Sequence, residues 1–236
     1  MYFKIKFIKN TTFFSLFIVI FATVLSTPVF SENVGSPYIQ QIVLNNYGFK
    51  NDNHKIIKDK NGLIYITNTN GLLQYDGSFW EIVKVPGIPY MDIDSNGIVY
   101  VGGNNDFGKI APDKTGKPVF ISLNDSSKYN LGNFGQIKQV YTRNNIVYFC
   151  TKDLLFKWTG NHIEVLDTGK VELQLFKVKN HIFLEKDGQG ILKLINQDFR
   201  LLPGSSEFSE KDIIDILPYR EKILIKTANS GFFLFD

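Results

Sequence analysis

The chain has 236 residues, of which 44% are hydrophobic and 21% charged, and this composition is typical of a folded globular protein and not of a disordered one. Lys4, Lys6 and Lys9 are the only charged residues among the first 31, and they account for the formal net charge of +3. The remaining chain is electrically balanced, so it lacks the excess of positive charge that nucleic-acid binding requires. We therefore expect no nucleic acid as a partner.

The first 31 residues have the features of an export signal. Behind a lysine-bearing start, Phe13–Leu25 is a mostly apolar run, shorter than the roughly 20 residues that a membrane-spanning helix needs. Val29–Ser31 lies where a signal peptidase would cleave. We expect a signal peptide over 1–31, with an uncleaved N-terminal anchor as the alternative. Cys150 is the only cysteine, so no disulfide can form within the chain. We expect an exported chain of this kind to be located in a bacterial periplasm.

The segment Asn53–Val85 has the pattern of four short strands. It is rich in Ile, Tyr, Phe and Trp, which suit a pleated, half-buried surface. Asn61-Gly62, Asn70-Gly71 and Asp76-Gly77 separate the strands, and such pairs favour tight turns because they take positive φ at low steric cost. A sheet of four such strands cannot bury both faces alone, so it needs neighbours of the same kind.

The four-strand pattern returns along the rest of the chain. The predicted units are 54–85, 91–123, 137–166, 171–202 and 213–236, of which the last lacks a fourth strand. Their second strands begin at Leu63, Ile98, Ile146, His181 and Ile223, at spacings of 35, 48, 35 and 42 residues. Four strands per repeat at this spacing are the signature of a β-propeller. The predicted fold class is therefore all-β, a propeller of about five four-stranded antiparallel blades over 37–236.

Two architectural alternatives remain open at this point. A β-sandwich also has many short strands, but its strands need not recur as a four-strand motif, so the repeat argues against it. Pro37–Leu44 has the pattern of a lone strand, which could complete the last unit and close a ring of five blades. Otherwise the chain is an incomplete ring, the front part of a larger propeller that is interrupted at Asp236, and this is the expectation we adopt.

The first two units carry a recurring set of residues. Their sequences are DKNGLIYITNTNGLLQYDGSFWEIVKVP and SNGIVYVGGNNDFGKIAPDKTGKPVFISL. The motif positions in the first unit are Asp59, Gly62, Tyr65, Asn68, Gly71-Leu72, Tyr75-Asp76-Gly77 and Trp80. This pattern resembles the propeller repeats of two-component regulators, most closely those Bacteroidetes-type sensors that have a triple-tyrosine domain behind the propeller. The resemblance covers about 37–236 and is strongest in the first two units.

The resemblance implies an extracytoplasmic sensor. In family members the propeller is followed by the triple-tyrosine domain, a membrane span and a cytoplasmic histidine kinase or helix-turn-helix output. These modules do not follow here, so we expect a fragment or a stand-alone propeller, with any homodimer formed through C-terminal domains absent from this chain. The expected ligand is a small molecule or an oligosaccharide. An envelope protein-interaction propeller and a carbohydrate-active enzyme are the alternatives.

The residues offer little support for catalysis, and we expect this chain not to be an enzyme and to need no cofactor. His54, His162 and His181 are far apart and lack the paired spacing of a metal site, so no metal is expected. Asp92 and Asp94 are the only support for an acid/base or calcium role, and two exposed carboxylates at a turn edge are the commoner outcome.

Residues that interrupt the repeat are the candidates for a ligand site, because propeller loops at one rim converge on the central axis. Tyr90 in the PGIPY segment and Asn105 and Phe107 in NNDF combine aromatic faces with amide groups that suit sugar rings, with ordinary loop packing as the alternative. The repeated Tyr65, Trp80 and Tyr100 are expected to pack between blades, and Cys150 to be a buried hydrophobe. We expect these last four side chains to have structural roles and not functional ones.

Overall fold

The computed structural model describes Ile39, 41–125, 127–166, 173–186, 188–196 and 198–236. The predicted signal peptide lies outside these residues. Residues 43–236 form one compact unit, and every strand given below belongs to it. No helix in the described ranges is long and apolar enough to cross a membrane.

Nineteen strands of the described residues form five antiparallel sheets, called blades 1 to 5 in chain order. Blade 1 consists of β1 (Asn53–Lys58), β2 (Ile64–Asn68), β3 (Gly71–Tyr75) and β4 (Trp80–Val83). Blade 2 consists of β5 (Tyr90–Ile93), β6 (Val99–Gly102), β7 (Phe107–Pro112) and β8 (Pro118–Ser122). Blade 3 consists of β9 (Gln139–Arg143), β10 (Ile146–Cys150), β11 (Leu155–Trp158) and β12 (Ile163–Leu166). Blade 4 consists of β13 (Gln174–Val178), β14 (His181–Lys186), β15 (Gly190–Ile195) and β16 (Asp198–Leu201), and blade 5 of β17 (Ile213–Tyr219), β18 (Lys222–Thr227) and β19 (Gly231–Phe235).

The fold class predicted from the repeat is confirmed. In every sheet the strands pair in sequence order, so no strand is exchanged between sheets as in a β-sandwich. A short 3₁₀ helix, Leu44–Tyr47, precedes the first blade. It overlaps the segment predicted as a lone strand, and Gln41–Val43 is not a strand either, so the described part of that segment offers no fourth strand to blade 5.

The first turns of blades 1 and 2 are built by an aspartate and not by the Asn-Gly pair alone. The Asp59 carboxylate accepts hydrogen bonds from the N–H groups of Asn61 and Leu63, both at 2.8 Å, and Gly62 takes a φ of 93°. Asp94 repeats this arrangement with its own i+2 and i+4 N–H groups at 2.9 Å. The predicted two-residue turn is therefore replaced by a longer loop that the carboxylate closes, which explains the D-x-x-G pattern.

Hydrophobic cores fill the spaces between successive blades. Tyr65 packs in the core between blades 1 and 2, and Tyr100 in the core between blades 2 and 3, as expected. Trp80 differs, because its ring stacks on Tyr75 of its own blade at 4.5 Å and also contacts Tyr47. Burial of these large side chains contributes about 25 cal/mol per Å² of apolar surface removed from water.

Blade 5 buries only one of its faces. Ile216 and Ile225 pack against blade 4. On the opposite face Leu217, Leu234 and Phe232 are 45%, 52% and 66% exposed. The centre of this free face is apolar, since Leu217 and Leu234 both flank Leu224 in the strand register, and Lys226 is paired with Phe232 beside them.

Candidate ligand pocket at the mouth of the inner strands

The first strands of the blades contact one another from blade to blade, and we call β1, β5, β9, β13 and β17 the inner strands. Consecutive inner strands contact each other from β1 to β5 to β9 and again from β13 to β17. Gln139 of β9 links to β13, because its side-chain Nε2 donates to the Leu175 carbonyl at 2.8 Å and its Oε1 accepts from the Leu175 N–H at 2.9 Å. The inner strands therefore bring residues of distant sequence into one place.

Four of the inner strands are joined by an axial network that consists of Lys55, Asp92, Thr142 and Lys177. The Oδ2 atom of Asp92 accepts hydrogen bonds from the Thr142 N–H at 2.8 Å and from Lys177 Nζ at 2.7 Å. Lys55 Nζ lies 3.8 Å from the other carboxylate oxygen and donates to the Met91 carbonyl at 2.8 Å. Asp92 thus has an ammonium group on either side.

The electrostatics of this network favour the addition of negative charge. Burial lowers the pKa of Lys55, with Asp92 opposing this change and the like charge of Lys177 adding to it. The burial cost of the ammonium group is therefore only partly offset by the carboxylate, which it shares with Lys177. A further anion beside Lys55 would relieve both effects.

A pocket of about 210 Å³ opens beside Lys55 at the mouth of the inner strands, by which we mean the end at which β1, β5 and β9 begin. We call it the axial pocket. Its lining comes from three blades and consists of His54, Lys55, Tyr90, Met91, Lys138, Gln139, Val140 and Tyr141. The pocket therefore combines cationic, amide and aromatic groups, and it borders the axial network.

The wall formed by β9 is held in place by blade 4. The Tyr141 hydroxyl donates to the Leu175 carbonyl at 3.0 Å, the same carbonyl that the Gln139 amide contacts. Burial, reinforced by the negative charge of Asp92, raises the pKa of Tyr141 to about 12, so its hydroxyl remains a donor at neutral pH. Side chains fixed in this way present a preformed surface to a ligand.

The structure separates the three residues that the sequence singled out for ligand binding. Tyr90 lines the axial pocket, with its ring stacked 6.5 Å from His54. Asn105 joins two loops, because its N–H and Oδ1 pair with the backbone of Gly135. Phe107 is 0% exposed and stacks on Phe149 at 4.5 Å within the core between blades 2 and 3. Only Tyr90 of the three faces the pocket.

The two loops that interrupt the repeat pack on one another. The Asn104 N–H donates to the Pro86 carbonyl at 2.6 Å, and the Gln136 amide donates to the Ile88 carbonyl at 2.8 Å. The PGIPY segment is therefore held against the loop that follows β6 and against the segment that precedes β9. This packing positions Tyr90 at the start of β5.

Sequence reasoning missed most of the residues that form the pocket. Lys55, Lys138, Gln139 and Tyr141 lie in or just before inner strands, where they were read as ordinary strand residues. A signal for them existed, because the inner strands carry a polar side chain among apolar ones, as Asp92, Thr142 and Lys177 show. The sequence pattern does not show that these side chains converge on one axis, because their convergence depends on the spatial order of the blades.

Asp92 and Asp94 have different structural roles. Asp92 is 8% exposed and belongs to the axial network, so the expectation of two exposed carboxylates is wrong for this residue. Asp94 closes the β5–β6 turn. Among the described residues there is no group of three His, Cys, Asp or Glu side chains that could hold a metal ion.

No protein-family model matches the chain, and no curated protein matches it. Solved structures are similar in fold. The extracellular domain of BT4673 from B. thetaiotaomicron, assigned as a hybrid two-component system, matches with a TM-score of 0.55 and 17% identity over 78% of this chain and 26% of that one. The equivalent domain of BT3049 from the same organism matches with a TM-score of 0.55 and 16% identity, over 78% and 28% of the two chains. The WD40 propeller domain of Doa1 matches with a TM-score of 0.58 and 12% identity, over 80% and 66%.

These similarities establish the β-propeller fold. They also agree with the resemblance carried by the repeats, since two of the similar structures are extracellular domains of proteins assigned as hybrid two-component systems. The chain spans about a quarter of the length of those two domains.

Proposed function

We propose that this chain is part of an extracytoplasmic sensory propeller of a two-component-type regulator, and that it binds a small extracellular molecule in the axial pocket. The observation that carries the proposal is the convergence of side chains from three separate blades on one pocket. Binding sites commonly form where loops and strand ends of a rigid scaffold meet in this way. The aromatic ring of Tyr90 and the imidazole of His54 suit a sugar ring, so an oligosaccharide end is the ligand class we favour.

The position of the pocket suits a sensor. A ligand that contacts Lys55, Tyr90 and Tyr141 touches blades 1, 2 and 3 at once. It would favour the relative arrangement of blades in which all three contacts form. A ligand shifts a conformational equilibrium only by its differential affinity for the two states, and contacts to several blades provide such a difference.

We also propose that the ring continues beyond the five blades seen here. The support is the free face of blade 5, where Leu217, Leu234 and Phe232 expose apolar surface of the kind that blades 1 to 4 bury against their neighbours. In the longer protein this face would pack on a further blade, and dimerisation would occur through C-terminal domains outside this chain. The role proposed for the present residues is binding and not catalysis.

Thermal unfolding against a panel of mono- and oligosaccharides tests the ligand proposal. We expect at least one member to raise the melting temperature, because a ligand that binds only the folded state stabilises it. Tyr90→Ala should abolish the shift, whereas Tyr219→Ala, on the exposed β17 of blade 5, should preserve it. An empty screen together with recovery of a stable protein partner would favour the protein-interaction alternative.

A further inference from the structure

We propose that the ligand of the axial pocket is anionic, and that it presents a carboxylate on a single sugar-sized ring to Lys55 and Lys138. This inference rests on the proposed function, since it names the chemistry of the same site. It goes further by excluding neutral sugars as the preferred ligands.

The charges around the pocket are unbalanced. Lys55, Lys138 and Lys177 contribute three ammonium groups. Among the described residues, Asp92 supplies the one carboxylate that pairs with any of them, and it is shared by Lys55 and Lys177. The pocket lining itself contains no carboxylate.

Two cations face the pocket itself. Lys55 and Lys138 both line it, whereas Asp92 is not a lining residue and contacts Lys55 at 3.8 Å within the axial network. Lys138 has no carboxylate partner among the described residues, and Lys55 shares its partner with Lys177 at 2.7 Å. Two ammonium groups with incomplete pairing on one small cavity favour an anion, because a charged hydrogen bond is stronger than a neutral one.

The size of the cavity limits the ligand. At about 210 Å³ it is smaller than the clefts that hold drug-sized ligands, which are about 300–1,000 Å³. One ring with its substituents fits such a volume. Tyr90 and Tyr141 supply aromatic surface from two blades, and the His54 imidazole supplies a polar group for a hydroxyl. A carboxylated sugar ring satisfies all three kinds of lining residue.

Calorimetric titration with matched charged and neutral ligands tests the proposal on the purified chain. The probes are D-glucuronate and D-galacturonate, each compared with its uncharged amide, and D-glucose. We expect at least one of the acids to bind about tenfold or more tightly than its amide. The preference should shrink as salt is raised, because the pocket is open to solvent.

Variants locate the preference. Lys138→Met should remove most of the difference between acid and amide, and Lys138→Arg should retain it. Lys55→Met provides a second test from another blade. Lys114→Met removes an exposed lysine at the β7–β8 turn and should change nothing.

The outcomes separate this inference from the proposed function. If amides or glucose bind as well as the acids, and Tyr90→Ala abolishes that binding, the sensor proposal stands and the anionic ligand is wrong. An acid preference that survives both Lys138→Met and Lys55→Met also overturns the inference. If no acid, amide or neutral sugar binds, both proposals fail.

Discussion

Lys177 of β13 donates a hydrogen bond to Asp92 of β5 across 2.7 Å, so two residues 85 positions apart in sequence join blades 2 and 4. The link passes the inner strand of blade 3, where Thr142 bonds to the same carboxylate oxygen. A single buried carboxylate therefore fixes the spacing of three inner strands. Two of these strands, β5 and β9, also line the axial pocket, which means that the network supports the site.

Asp92→Ala should destabilise the protein strongly. It removes the acceptor shared by Thr142 and Lys177 and leaves an ammonium group in a largely buried position. Loss of one partner of a buried pair costs about 3–5 kcal/mol, and the partial exposure of Lys177 lowers the expected cost here to about 2–3 kcal/mol. Urea unfolding measures the change.

The matched control for Asp92→Ala is Asp198→Ala. Asp198 lies 3.8 Å from Arg200 with both side chains well exposed. Its removal should change the free energy of unfolding by less than about 0.5 kcal/mol. Equal effects of the two substitutions would contradict the role assigned to the axial network.

The D-x-x-G turns give a second prediction. Asp94→Ala removes the acceptor of two backbone N–H groups, those of Asn96 and Ile98, and should cost about 1–2 kcal/mol. Asp94→Asn keeps an oxygen at the same position and should cost much less. Chemical denaturation of both variants provides the test, and a loss as large in the amide variant as in the alanine variant would show that charge, and not the hydrogen bonds, matters.

The architecture could be predicted from the sequence because each blade is specified locally. Turn residues and alternating apolar positions occur within about 30 residues of each other, and the repeat of this unit indicates a propeller. Tyr65 and Tyr100 were placed correctly between blades, since they occupy equivalent positions in the second strand. The turn mechanism was missed because the Asn-Gly pair was given more weight than Asp59, whose carboxylate closes the loop.

The pocket could not be predicted in the same way. Its residues come from three blades, and no local sequence pattern indicates which inner strands lie next to each other in space. Phe107 is of a residue type that commonly stacks on ligands, but hydrophobic packing places it in a core. Lys55 is of a residue type that is usually solvated on a strand, but the neighbouring inner strand places Asp92 beside it.

Stability should fall in acid. Backbone N–H groups of Phe79 and Ser78 lower the pKa of Asp76, and hydrogen bonds from Thr115 and from Ser127 lower the pKa values of Asp113 and Asp125. Between those lowered values and the ordinary pKa of 3.8 the unfolded state binds more protons than the folded state. The stabilisation is therefore complete above 3.8 and is lost as the pH falls through the folded-state pKa values.

Unfolding by urea at several pH values from about 5 to about 2.5 measures this effect. A triple variant with Asp76→Asn, Asp113→Asn and Asp125→Asn keeps the acceptor oxygens and removes the titration. Its stability should depend less on pH than that of the parent chain. Parallel pH profiles for the two proteins would rule out these turns as the source.

Cys150 should be unreactive in the folded protein. It is fully buried in the core between blades 3 and 4, and burial raises the pKa of its thiol to about 12. The thiolate is the reactive form, so both access and ionisation are suppressed. A disulfide reagent should label the chain only after denaturant is added, and rapid stoichiometric labelling in buffer alone would contradict the packing described here.

Gly102→Ala should disrupt the packing of blade 2 on blade 3. A Cβ atom at Gly102 would lie 2.2 Å from Cγ2 and 2.6 Å from Cβ of Ile137, a residue with no exposed surface. The second of these atoms is close to the backbone and cannot move aside, so we expect a loss of about 2–3 kcal/mol.

Gly116→Ala is the matched control, because its Cβ would meet nothing within 4 Å and only its φ of 88° opposes the change, at a cost of about 1 kcal/mol. Unfolding curves in which Gly116→Ala is the more damaging substitution would show that blades 2 and 3 do not pack as closely as this.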